Sequence, residues 1–227
     1  MCGRYYRRSD KQRIAEAFNL GDMPIDFVLP EWDFNVAPST FQPVIRQARE
    51  TGEREVVLMR WGLVPFFTRQ LSEVKGISTI NARAEAVQGS PTWREPFKKR
   101  RCLVPADGFY EWTRIDPKNK QPFAFKMADD SPFAFAGLWD AWKDPAGQWL
   151  QSFSIVTTEA NELMAPVHNR MPVILQRKDY ARWLDRGNVQ PPVDLLRPYD
   201  STKMKSAPCN RLVGNVKNNG PEMLNSA

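Results

Sequence analysis

Histidine and cysteine are scarce in this chain of 227 residues, which holds one of the first and three of the second. The cysteines, Cys2, Cys102 and Cys209, lie far apart and form no CxxC pair. That argues against a disulfide framework and against a zinc site, so no metal and no cofactor is expected. No apolar run approaches the roughly 18 residues a membrane span requires, and the charged amino-terminal segment lacks the apolar stretch of a secretory signal. A membrane is therefore not expected as a partner, and a cytoplasmic location follows. Internal repeats, low-complexity tracts and sharp composition shifts are missing too, which predicts a single domain over residues 1–227 and a monomer.

Basic charge is in modest excess. The net charge is +6, with clusters at Arg4, Arg7 and Arg8 and at Lys98, Lys99, Arg100 and Arg101. Such clusters suit a polyanion, and ordinary solvated helix faces explain them equally well. Eight tryptophans strengthen the hint of nucleic acid, because rings beside basic residues stack on unpaired bases, although most tryptophans serve the core.

The stretch SDKQRIAEAFNLG predicts a helix, with Ser9 and Gln12 at capping-box spacing, Ile14, Ala17 and Phe18 on one face, and Gly21 closing the end. REVVLMRWGLVP alternates like a strand, residues 69–78 read as a polar excursion, and TINARAEAV begins as a strand and turns to helix. CLVPADGFYEWTR and QPFAFKMA flank DPKNK, while SPFAFAGLWDAW and WLQSFSIVT flank KDPAGQ, which predicts two successive hairpins. Short helices fit TEANELMAPV, RKDYARWLD and PPVDLLRPY, with a strand at MPVIL. The fold class is α+β, dominated by antiparallel sheet with peripheral helices.

Cys2 stands directly behind the initiator methionine. With Met1 retained it is an ordinary thiol; with Met1 removed it carries an α-amine (pKa roughly 7.7 to 8.0) beside a thiol (about 8.5), a 1,2-aminothiol able to trap an aldehyde. The sole histidine, His168 in PVHNRMP, lies in a loop where a general acid/base can operate, and a structural role fits as well. Glu111 in DGFYEW shares a strand face with Phe109 while Tyr110 and Trp112 face the other way, so apolar neighbours raise its pKa unless a salt bridge holds it. INAR puts Asn81 and Arg83 on one side of an extended segment, suited to a sugar and its phosphate; Asn81 as a helix cap is the other reading.

Taken in order, MCGR, NVAP, WGLVP, INAR, RRCLVPADGFYEW, VHNRMP and VGNVKN resemble the SRAP family, the SOS response-associated peptidases that shield abasic sites, over roughly Cys2 to Asn218. The resemblance implies the barrel-like SRAP fold, removal of Met1, and a thiazolidine crosslink between Cys2 and the ring-opened aldehyde of an abasic site in single-stranded DNA. It implies catalytic roles for Cys2, Asn81, Glu111 and His168, with phosphate contacts from Arg4, Arg83 and Arg170. Pro38 lies where the family lines its DNA channel. Phe66 and Phe67 follow WGLVP where many relatives carry tryptophan, so Phe67 is the expected aromatic contact to a base. Autoproteolysis and lyase-type strand cleavage accompany this reading. Two alternatives differ in class: a cysteine peptidase using Cys2, His168 and Asn81 on protein substrates, and a single-strand-binding module without chemistry.

Overall fold

Alternating apolar positions resolve into strands along most of the chain. The computed structural model describes residues 2–21, 27–29, 32–74, 79–117, 119–187 and 190–226, so Met1 and the end of the polar excursion, 75–78, lie outside the described residues. The strands are β1 (Arg4–Arg7), β2 (Asp33–Val36), β3 (Phe41–Gln47), β4 (Arg54–Trp61), β5 (Asn81–Arg83), β6 (Arg101–Ala106), β7 (Gly108–Arg114), β8 (Lys120–Met127), β9 (Phe133–Lys143), β10 (Trp149–Glu159), β11 (Arg170–Pro172), β12 (Ile174–Leu175) and β13 (Met204–Pro208). The helices are α1 (Lys11–Phe18), α2 (Arg94–Lys99) and α3 (Tyr180–Leu184).

One sheet runs β13, β8, β7, β1, β2, and a larger one runs β11, β10, β4, β3, β6, β9, β12, with β5 along β10. Pairing is antiparallel except where β10 meets β4 and β5 in parallel. Both expected hairpins form, closing at Arg114 opposite Lys120 and at Lys143 opposite Trp149. The large sheet is covered on both faces. Cys102 and Val104 of β6 join Tyr5, Trp61, Phe109, Phe125 and Cys2 between the sheets, whereas Leu103 packs with Phe18, Phe97, Tyr180 and Trp183 of the helices. The expected α+β class, dominated by antiparallel sheet with peripheral helices, is thus what the chain adopts.

CLVPADGFYEWTR, expected as one strand of a hairpin, is two strands in two sheets. β6 pairs with β9 in the large sheet, and after Asp107 alone β7 pairs with β1 and β8 in the small one. The corner holds because the buried Asp107 carboxylate accepts from the backbone N–H of Arg8 and Ser9 (both 2.8 Å) and from the Ser9 hydroxyl (2.7 Å). Beside it Gly108 leaves room for the Tyr6 ring, which a Cβ would overlap. Gly108→Ala is expected to lower stability by about 1–3 kcal/mol, the range for overpacking a tight site, and a urea titration checks it. An unchanged midpoint would mean that Tyr6 swings aside freely.

Other expectations are corrected. The cap of α1 is Asp10, which accepts from the Arg13 N–H, because Ser9 is held by Asp107; the helix closes at Asn19 in the left-handed region (φ 48°), before Gly21. Residues 84–89 form turns where a helix was expected, as do residues 162–167 of TEANELMAPV, and PPVDLLRPY yields only one 3-10 turn, Val193–Leu195. Two cations of the basic clusters are interior. Arg7 is buried and bonds the Ser9 carbonyl, and Arg101 is buried against the carbonyls of Phe97, Lys98 and Trp183, closing the carboxyl ends of α2 and α3. All three cysteines are buried and free.

Candidate active site

Cys2 sits at the head of β1, packed into the core between the sheets and 1% exposed. Two strands present side chains to it. From β5, which is tied to β10 by Asn81 opposite Ile155 and to Trp61 through the indole N–H on the Ile80 carbonyl, Asn81 donates from Nδ2 to the Cys2 carbonyl at 2.9 Å. The other amide atom of Asn81, Oδ1, is buried and accepts no hydrogen bond among the described residues. An acceptor is thereby left facing the site.

From β7 comes Glu111, one residue beyond the Arg4–Tyr110 pair that aligns β1 with β7. It is 5% exposed, and burial pushes its carboxyl up to about 7. That is the direction expected from the apolar neighbours of Glu111 on its strand face. Burial, and then the nearby Glu111 charge, push the Cys2 thiol well above its ordinary value. At neutral pH the sulfur is S–H and the carboxyl is poised to exchange a proton.

His168 arrives from the loop before β11. Its position is set by a turn in which Asn161 Oδ1 accepts from the Met164 N–H at 2.9 Å, Nδ2 of the same amide reaches the Tyr199 carbonyl at 2.8 Å, and the His168 N–H reaches the Met164 carbonyl at 3.0 Å. The Arg170 N–H lies 2.9 Å from His168 Nδ1, closer than the Arg170 carbonyl at 3.2 Å. Nδ1 is therefore the acceptor and Nε2 carries the proton of the neutral ring, a tautomer assigned from the bonding pattern. Burial lowers the His168 pKa, so that neutral form prevails at pH 7. The Glu111 charge acts on the Cys2 thiol, which places those two groups in one electrostatic neighbourhood.

The basic residues divide. Arg83 is exposed on β5, two residues from Asn81. Arg170 is beside His168 and grips Glu85 with both terminal nitrogens, at 2.7 and 3.0 Å. Arg4 turns away: Nη1 donates to Asn35 Oδ1 at 2.6 Å and to the Val213 carbonyl at 2.8 Å, and Nη2 to the Gly214 carbonyl at 3.3 Å. Its guanidinium fastens the VGN turn to the small sheet. Pro38 occupies the turn before β3, bolted to the end of β4 by Ser39 N–H to the Trp61 carbonyl (2.8 Å) and by Arg60 to Ser39 Oγ (2.8 Å). Phe67, after β4, is 52% exposed and packs edge-on against Phe66 with centroids 5.3 Å apart. Glu85 and Asn35 were missed as partners of these arginines. The only signal for Glu85 was its place two residues after Arg83 in INARAE, and nothing in the sequence pointed to Asn35. Among the described residues no cluster of three or more metal-ligating side chains occurs, and no helix is long and apolar enough to cross a membrane.

Residues 1–216 match the family described as SOS response associated peptidase (SRAP). The Abasic site processing protein YoqW of Bacillus subtilis (strain 168) is 40% identical over 232 residues, spanning 100% of both chains. The Abasic site processing protein HMCES of Mus musculus is 30% identical, covering 99% of this chain and 75% of its own. A crystal structure of a Bacteroides thetaiotaomicron protein superposes with a TM-score of 0.87 at 28% identity, with 100% of each chain covered. One from Bordetella bronchiseptica gives 0.78 at 30% identity, over 92% of this chain and 100% of that one.

Proposed function

The chain belongs to the SOS response associated peptidase (SRAP) family, and we propose that it processes abasic sites in DNA by trapping the lesion aldehyde on Cys2. The observation that carries this reading is the approach of an amide and a raised-pKa carboxyl to a cysteine at the chain's amino end. The DNA is single-stranded, and Met1 is removed first, so that Cys2 offers both an amine and a thiol.

The ionisation states set the order of steps. A thiol held as S–H is a poor first nucleophile, so the α-amine attacks the aldehyde and water leaves as the Schiff base forms. The sulfur then adds to the imine carbon, its proton passes to a base, and the five-membered thiazolidine closes. Glu111, with a pKa of about 7, is the group able to take that proton and to return it when the ring reopens. His168 assists opening of the closed sugar by donating a hydrogen bond from Nε2 to the ring oxygen; the C1 hydroxyl proton passes through solvent to that oxygen as the aldehyde forms, so the imidazole stays neutral throughout. Asn81 Oδ1 accepts from the amine or the sugar hydroxyl while Nδ2 holds the Cys2 carbonyl. Arg83 and Arg170 hold flanking phosphates. Ring closure competes with β-elimination from the Schiff base, so a fast sulfur shields the strand where an amine alone cuts it.

A peptidase acting on protein substrates has less support. Such enzymes need a thiolate paired with an imidazolium, and here the thiol pKa is raised while that of the histidine is lowered, the opposite shifts. Intact-mass spectrometry before and after incubation with a single-stranded oligonucleotide bearing one abasic site tests the proposal. The expected result is a starting mass lacking methionine and an adduct equal to protein plus strand minus water. A protein lacking Met1 that forms no adduct overturns the covalent reading, and turnover of an unrelated peptide without DNA favours the peptidase.

A further inference from the structure

Arg170 is not an open cation. Its two terminal nitrogens meet the two oxygens of Glu85 end-on, at 2.7 and 3.0 Å, and Nη2 also donates to the Thr157 carbonyl at 2.7 Å. The two partners differ in kind. Thr157 is fully buried in β10 and belongs to the sheet, so it fixes the guanidinium whether or not Glu85 is present. The Glu85 side chain is 60% exposed, against 19% for Arg170, on the turn after β5 where the Ala86 N–H bonds the Arg83 carbonyl at 2.9 Å. Arg83, two residues earlier, is exposed on the same segment.

A phosphodiester offers two non-bridging oxygens, which take the same bidentate edge of a guanidinium that a carboxylate takes. An exposed ion pair is weak enough to be exchanged. We propose that Glu85 is a built-in competitor: its carboxylate occupies the phosphate seat on Arg170 in the free protein and must leave when a DNA strand binds. This rests on the DNA reading given above and adds a selectivity device to it. Glu85 weakens the hold on every single strand alike, intact or damaged. Retention then depends on the covalent step, which only an aldehyde-bearing strand offers.

The test compares the wild-type protein with Glu85→Gln, which keeps the side-chain shape and removes the charge. Fluorescence anisotropy with an intact single-stranded oligonucleotide at several salt concentrations reads the affinity. The expected result is binding roughly two- to fivefold tighter at low salt for Glu85→Gln, within what an exposed ion pair is worth. The slope of log K against log salt should be steeper by about 0.7, the value for one more phosphate effectively neutralised on a single strand. Equal or weaker binding, a shallower slope, or no binding by either protein overturns the proposal, since a carboxylate that merely oriented Arg170 would make its loss harmful. Adduct formation on an abasic strand is followed in parallel. Wild-type adduct without tighter variant binding sinks only the Glu85 role, and tighter variant binding without any adduct sinks only the covalent reading.

Discussion

Cys2→Ala is expected to abolish the stable adduct with an abasic strand, a loss on the order of a thousandfold or more for removal of a nucleophile, and to leave affinity for intact single strands unchanged. Alanine at position 2 still presents an α-amine once Met1 is gone, so a Schiff base still forms, but no sulfur is there to close the ring. The imine then proceeds by β-elimination, and the residual reaction appears as strand scission. Denaturing gels of a labelled abasic oligonucleotide separate the three fates: shifted adduct, shortened strand, untouched strand. Inserting one residue ahead of Cys2 leaves the thiol and removes its neighbouring amine, and is expected to suppress adduct to the same degree. A heat-stable adduct on either variant would require another residue as the nucleophile.

Glu111→Gln separates activity from stability. A general base with a pKa of about 7 makes wild-type adduct formation rise with pH through that value and level off above it. In the variant that inflection vanishes and the rate falls on the order of a hundredfold or more, the usual worth of a positioned acid/base. Stability moves the other way. Burial raises the folded-state pKa above that of the unfolded chain, so between 4.5 and about 7 the folded protein holds the extra proton and stability declines as pH rises. The full penalty is reached above pH 7 and amounts to about 3 kcal/mol at 1.36 kcal/mol per pKa unit. A neutral glutamine never incurs it. The variant should therefore unfold at higher denaturant than wild type at pH 8 and at nearly the same concentration at pH 4. Coincident pH profiles of stability for the two proteins would show that Glu111 is not driven up by burial at all.

The residues of the proposed site stand out because they sit in short, distinctive segments. Cys2 follows Met1, Glu111 is the only acid after Gly108 in DGFYEW, His168 is the sole histidine, and each carries chemistry that few other residue types supply. The basic residues were less legible, since charge in a sequence does not say where a guanidinium is spent. Arg7 and Arg101 read as surface and are buried on carbonyls, and Arg4 read as a phosphate ligand and ties Asn35 to the turn at Val213 and Gly214. The partners of Arg4 and the Trp183 carbonyl on Arg101 lie 31 to 210 residues away along the chain, beyond the reach of any local pattern.

By itself the sequence determined the local features: the hairpins closing at Arg114–Lys120 and Lys143–Trp149, the apolar face of α1, the residue types of the site, and the family resemblance carried by motif order. These follow from backbone propensity and side-chain periodicity within a few residues. Tertiary structure alone decided the rest. The break at Asp107 that passes the chain from one sheet to the other depends on Arg8 and Ser9, about a hundred residues earlier. The ionisation state of Cys2 was decided there too: its thiol carries an ordinary pKa until the two sheets close over it, because desolvation is a property of what surrounds a group and not of the group.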